Sequence, residues 1–546
     1  MQSWFLRVGA TNIYDNLLDC PQLSVARGAS LGMRFVVQEL AAALRDRVEP
    51  ISIGASEGLF AVRAGHSAEE VSREALAFLE RDAHAHGDIA TFVVDIHPGP
   101  EAADALPPDE ALRALNRFRQ MREPSVIWTQ DRLQAAPDMT ARPCEWSDRW
   151  VAQTDGPERD DHRPAVAGWV RQRYDRGRGA KQDDARSVRS FYQRELKGDG
   201  GAPDKAHADV AKRLADVGFA HDLGELARLP GKRNLSGKIA VFYADGNRFS
   251  AIKQQARTRK ELNEFDTQLR SLRRGLLADL LRPFCDPLRT DLRGESPRDG
   301  ASFLRLETLL WGGDEMILVV PAWHGLDLLS RFFAHTRDWK FRGNRLTHAA
   351  GLVFASAKTP IHQLTGLACG LADGIKARSG TSPENAWDYL VLESVDFIER
   401  DAESLRAQRY GALGTPSPLR APPPSLSSTP LLDEEIRRSA LRWVAAATRP
   451  SPAPARMAPA VAGQPAAAAR EETEDQRRRR RFVSVLGTAD AAKLDQTVAE
   501  SFPPLFAETQ PAGAAPPIWP WVHLCELWDY LPSHANAPAP AREQTA

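Results

Sequence analysis

The chain has 546 residues, 42% of them hydrophobic and 26% charged, which is too long for one ordinary domain and fits a soluble globular protein of three or four units. With 71 basic against 72 acidic residues the formal net charge is −1, so no overall field draws it to nucleic acid and any such binding must come from local patches. Cys20, Cys144, Cys285, Cys369 and Cys525 form no CxxC pair, and there is no signal-like start and no run near the roughly 20 apolar residues of a membrane span, which predicts a cytoplasmic protein with no membrane partner.

Residues 1–128 read as a mixed α/β unit. Trp4–Val8 is strand-like, a helix is predicted over about 25–47, Ile51–Gly54 and Leu59–Arg63 flank a small-residue turn, a helix follows near Ala68–His84, and Ile89–Ile96 is apolar enough for an inner strand. The order β-α-β-β-α-β is that of a ferredoxin-like or palm sheet. Residues 129–235 form a charged, partly helical connector. The same order then returns over 236–400. Lys238–Ala244 is a strand, a long helix is expected from Arg248 to Leu281, and Phe303–Trp311 and Met316–Val320 make a hairpin. A helix near Leu326–His335, a strand at Leu346–Ala355, an amphipathic helix at Ile361–Arg378 and an edge strand at Tyr389–Leu392 complete it. The fold class is therefore α/β (α+β), two copies of one palm unit. Residues 401–546 carry Pro/Ala/Ser-rich tracts at 421–430 and 449–469, expected to be flexible, with short helices at Asp433–Ala447 and Trp521–Leu531. An apolar stripe of Trp521, Leu524, Cys525 and Trp528 suits the cap of a small helical domain.

The chemistry is concentrated at two strand ends. Asp245 follows the apolar strand IAVFYA, and Asp314 and Glu315 sit in the two-glycine turn of LLWGGDEMILVV. A palm sheet sets its first strand beside that hairpin, which brings the acids to one edge. Clustered carboxylates on rigid elements suit Mg²⁺ or Mn²⁺ held together with substrate phosphates. Gly312 and Gly313, lacking side chains, let a triphosphate or base approach the backbone. A lone GGDE is often only a turn, since Gly and Asp favour turn geometry. Its place in a hairpin after a strand ending in Asp favours function.

These motifs, ADGN, WGGDE and the helix segment Leu371-Ala-Asp-Gly-Ile-Lys376, resemble the GGDEF-type palm of nucleotide cyclases, and more closely the palm-bearing large subunit of type III CRISPR effector complexes (Csm and Cmr). The segment 350–361 resembles the family's strand-to-helix passage. The resemblance spans roughly residues 1–400. It implies a degenerate first palm, an active second one, and conversion of ATP to cyclic oligoadenylates, second messengers of antiviral defence. It implies catalysis by Asp245, Asp314 and Glu315, a metal site at Asp245, Gly246, Asp314 and Glu315, and nucleotide contacts from Asn247, Gly312, Gly313 and Lys376. The chain departs from the family in reading GGDE rather than GGDD, which leaves base choice and ring size open. It opens on the first palm without the usual HD nuclease domain, and Cys144-Glu-Trp-Ser147 with His162 looks like an eroded zinc module that lacks four ligands.

In the first palm Ala10 stands where the second has Asp245, and Gly54-Ala55-Ser56-Glu57 where it has GGDE. One acid in place of three predicts no metal there, and packing against the second palm is its expected role. Lys376 reads equally as a triphosphate contact or as a solvated lysine at a helix C-terminus. Asn247 suits a ribose contact or, more commonly, a helix cap. Lys253, Arg257, Arg259 and Lys260 read as a solvated face, His221-Asp222 as structural, and Arg477–Arg481 after its acids as an exposed helix with ion pairs. The leading function is a nucleotidyltransferase that condenses nucleoside triphosphates, ATP favoured. The alternative is an RNA-binding scaffold subunit with little catalysis, working with RNA or other effector subunits, and a homodimer through the palms is a further option.

Overall fold

The computed structural model describes residues 3–10, 20–79, 92–100, 104–106, 142–148, 151–158, 162–178, 188–198, 205–215, 217–297, 300–378, 384–393, 401–405, 419–420, 444 and 518–530. The Pro/Ala tracts, the arginine run 477–481 and, apart from Val444, the segment 433–447 lie outside these residues.

The first unit is built from β1 (Trp4–Ala10), α1 (Leu23–Ala43), β2 (Val48–Ile53), β3 (Glu57–Val62), α2 (Ala68–Leu79) and β4 (Phe92–Pro98). Its strands lie in the order β2-β3-β1-β4, every neighbouring pair antiparallel, which is the ferredoxin-like arrangement. Side chains alternate across β1 as the pleat requires. Leu6, Val8 and Ala10 pack with Ala29 and Met33 of α1 and Val71 and Ala75 of α2, whereas Phe5 joins Leu59, Ala61 and the distant Leu262.

Between the units lie α3 (Gly168–Arg178), α4 (Val188–Lys197) and α5 (Lys205–Arg213). Cys144 is buried beside Cys20 and Trp146, while the exposed His162 meets Glu145 at 2.8 Å. Among the described residues no metal-ligand set forms there. Asp222 caps a short helix by accepting from the Glu225 N–H, and His221 contacts Arg178, in keeping with structural roles.

The second unit runs β5 (Lys238–Gly246), α6 (Arg259–Cys285), β6 (Glu307–Trp311), β7 (Met316–Pro321), α7 (Gly325–Thr336), β8 (His348–Ser356), α8 (Ile361–Arg378), β9 (Ala386–Val391) and β10 (Leu419–Arg420). Its sheet order, β6-β7-β5-β8-β9-β10, repeats the first unit's order and extends it by two strands. Strand β9 is therefore internal, parallel to β8 on one side and paired with β10 on the other, not the edge strand expected. The long helix expected from Arg248 is two helices, Phe249–Lys253 and α6. Thr258 restarts it by accepting from the Glu261 N–H, the first half of a capping box legible as Thr-x-x-Glu. Residues 302–304 belong to a separate three-stranded sheet and not to the hairpin.

Each unit lends its first helix to the other. Helix α1 packs along β6, and α6 packs along β2. Arg27 and Glu307, both fully buried, form a bidentate pair across this contact, with one bond at 2.6 Å. Arg27 also donates to the carbonyls of Gly177 and Ala220. Lys253 donates to Ser52, and the Arg259 guanidinium lies 4.5 Å over the Phe5 ring, so these two cations serve the contact between palms rather than a solvated face. Arg257 and Lys260 are exposed. Helix α9 (Ile518–Leu527) lies on the second sheet, where His523 meets the Tyr389 hydroxyl at 2.7 Å and Tyr530, just after the helix, packs against Phe354 with the rings tilted. Of the apolar stripe, Cys525 and Trp528 pack against the core of the second palm, and the side chains of Trp521 and Leu524 lie outside the described set. Among the described residues no helix is long and apolar enough to cross a membrane.

Candidate active site

Strand β5 is the central strand of the second sheet, and its residues alternate between two cores. Ile239, Val241 and Tyr243 pack with α8, while Ala240, Phe242 and Ala244 pack with α6 and α7. Burial on both faces fixes the register, and with it where the strand ends. At that end stand Asp245 and Gly246. A Cβ on Gly246 would come within 2.6 Å of the Phe249 ring, so glycine is what lets the chain fold back there.

The neighbouring hairpin, β6 and β7, turns through Gly312–Glu315 and closes with the Gly312 N–H donating to the Glu315 carbonyl at 2.8 Å. Neither turn glycine has a positive φ, and Gly313 has open space where a Cβ would stand. On the other side, α8 presses on β8 so closely that a Cβ on Gly351 would lie 2.1 Å from the Ala368 carbonyl oxygen. That contact brings the last turn of α8, with Lys376, to the end of β5.

These segments enclose an open cleft of about 360 Å³ lined by Asp245, Gly246, Arg248, Phe249, Ser250, Asp314, Glu315 and Lys376. Lys376 is not a solvated lysine; it forms an ion pair with Asp245 inside the cleft. Asp314 is pushed up to about 6, first by burial and then by the charges of Asp245 and Glu315. The same field, after burial, pushes the nearby Cys369 thiol up to about 12. Glu315 accepts a hydrogen bond at 3.0 Å from the buried Tyr243 hydroxyl. Asn247 neither caps a helix nor lines the cleft. Its amide donates to Thr347 and to the Glu384 carbonyl, and Arg248 takes the position before the short helix. Gly312 and Gly313 shape the turn without lining the cleft.

All three expected acids line the cleft, although among the described residues no three such groups stand in an arrangement that would hold a metal. Asp245 and Asp314 do feel each other's charge across the cleft. Mg²⁺ is commonly held by one or two carboxylates, with waters and substrate phosphates completing its shell. The Asp245–Asp314 pair fits that requirement, whereas Glu315 is engaged by Tyr243. Sequence reasoning missed Arg248 and Tyr243. Tyr243 was findable, because it lies two residues before Asp245 on a strand and so shares its side of the pleat. Nothing local marks Arg248.

A ferredoxin-like palm sheet with acids at a strand end and at the adjoining hairpin turn is the class this geometry defines. Among solved structures the chain is similar to Csm1 of the type III CRISPR-Csm complexes. An apo Csm1-Csm4 cassette matches at 14% identity and a TM-score of 0.41, covering 71% of this chain and 54% of that one. A Csm1-Csm4 cassette in complex with cA4 matches at 12% and 0.47, covering 97% and 70%. Csm1 from T. onnurineus matches at 13% and 0.41, covering 82% and 61%. The chain spans about half the length of the first of these. No family model and no curated protein matches it.

Proposed function

We propose that the second palm is a nucleotidyltransferase that condenses nucleoside triphosphates, ATP favoured, into cyclic oligonucleotides, and that it acts in antiviral defence alongside other effector subunits. The observation that carries this reading is the meeting of Asp245, Asp314 and Lys376, from a strand end, a turn and a helix end, in one cleft. Adenine is favoured by the sequence resemblance alone. Asp245 and Asp314 would hold Mg²⁺ or Mn²⁺. When bound, such an ion lowers the pKa of an attacking hydroxyl and neutralises leaving pyrophosphate. Lys376, paired with Asp245, would exchange that carboxylate for a phosphate oxygen. Glu315, at the cleft wall, is oriented by the hydrogen bond that it accepts from the Tyr243 hydroxyl.

The test is incubation with each of the four nucleoside triphosphates and Mn²⁺ or Mg²⁺, with products identified by mass spectrometry. Release of pyrophosphate with a new oligonucleotide is expected. No product from any triphosphate, with or without RNA added as activator, would sink the enzyme reading.

A further inference from the structure

We infer that Arg248 is a substrate-contacting residue of this cleft, gripping the terminal phosphates of the incoming triphosphate and the pyrophosphate that leaves. This deepens the proposed function and rests on it. Arg248 lines the cleft together with Asp245, Asp314, Glu315 and Lys376, and the residue is exposed. A site meant for a cation alone gains nothing from an arginine among its carboxylates. An arginine there is what a polyanion needs, and the guanidinium fork matches two phosphate oxygens at once where a lysine offers a single point of charge.

The backbone supports the assignment. Arg248 has φ 60° and ψ 24°, the left-handed region, one of three non-glycine residues with positive φ among those described. Such a conformation costs energy for a residue that carries a Cβ, and glycine or asparagine would carry it more cheaply. The chain is clamped on both sides of it. Before it, the Asn247 N–H donates to the Thr347 carbonyl at 2.7 Å and the Asn247 amide holds Thr347 and Glu384. After it, the Arg248 carbonyl accepts from Ile252 at 3.0 Å, and the buried Phe249 ring lies against His348. These anchors hold the residue in a conformation it would not choose, and they keep it at the cleft.

Arg248→Gly tests this, because glycine takes the left-handed conformation without strain and the loop should fold as before. Titration calorimetry with Mn²⁺ present would measure ATP, AMP and inorganic pyrophosphate binding to wild type, Arg248→Gly and Arg248→Lys. Loss of charge-assisted bonds to phosphate should weaken ATP and pyrophosphate about tenfold to a hundredfold, with AMP unchanged and the lysine variant between. Pyrophosphate binding as tight as wild type in Arg248→Gly, or an equal loss for AMP, would overturn the assignment. If wild type condenses triphosphates and Arg248→Gly does so with the same KM, Arg248 alone is excluded. If wild type binds no triphosphate, this assignment and the proposed function both fall.

Discussion

The two hairpin turns, Gly54–Glu57 in the first palm and Gly312–Glu315 in the second, are the same turn with different chemistry. Each is closed by the amide of its first glycine donating to the carbonyl of its glutamate, at 2.7 Å in the first and 2.8 Å in the second. The strand beside the first turn ends in Ala10, whose N–H donates to the Ser56 carbonyl, and Glu57 pairs with Arg7 at 3.7 Å. The strand beside the second ends in Asp245, and there Asp314 is held in a form that resists ionisation. The backbone thus keeps its shape whether or not the acids are present. The acids crowd like charge at the second turn, and carboxyls perturbed in this way cluster at functional sites.

The largest effect expected is on chemistry. Asp245→Asn and Asp314→Asn should each lower product formation about a thousandfold or more, since each keeps the side chain's volume and removes the charge that draws a divalent ion. Product assays beside thermal melts would check this, and undiminished product from well-folded variants would remove the site from this cleft. The inter-palm lock comes next. Arg27→Met leaves Glu307 buried without its partner, and urea unfolding should register a loss of about 3–5 kcal/mol. The double change Arg27→Met with Glu307→Leu should recover most of it; a double variant as unstable as the single one would show that the pair's charge is not the cause.

A smaller effect is expected from pH. The Asp314 carboxyl is raised from 3.8 to about 6, so the folded protein binds its proton more tightly than the unfolded chain does. Its contribution to stability is then full below about pH 4, falls as pH rises towards 6, and is gone above that, a difference of about 2 kcal/mol after solvent screening. Metal-free melts from pH 4 to 7 should show this slope in wild type and lose it in Asp314→Asn. An unchanged slope in the variant would assign the pH dependence to other groups. The smallest effect belongs to the first palm. Glu57→Gln should leave product formation untouched and shift stability by less than about 1 kcal/mol, because the Arg7 pair it breaks is partly exposed. A clear loss of product there would mean that the first turn takes part in the reaction.

The sequence by itself determined the two sheets and where the acids fall. The β-branched and aromatic run of β1, the continuous apolar run of β5, the 3.6-residue face of Ile361–Arg378 and the glycines of each turn are local properties that local sterics read directly. It also carries, in Thr258 and Glu261, the local signal that divides the helix after Arg248. Only the tertiary structure decided the partners. Arg27 meets Glu307 across 280 positions of chain, Lys376 meets Asp245 across 131, and His523 reaches Tyr389 across 134. Neither periodicity nor spacing carries information about such pairs, because they arise from the packing of whole elements whose joining loops set no register. The turning of Glu315 to Tyr243 has the same origin. How Glu315 is oriented at the cleft depends on a hydroxyl from the adjoining strand, and therefore on the register in which β7 lies against β5.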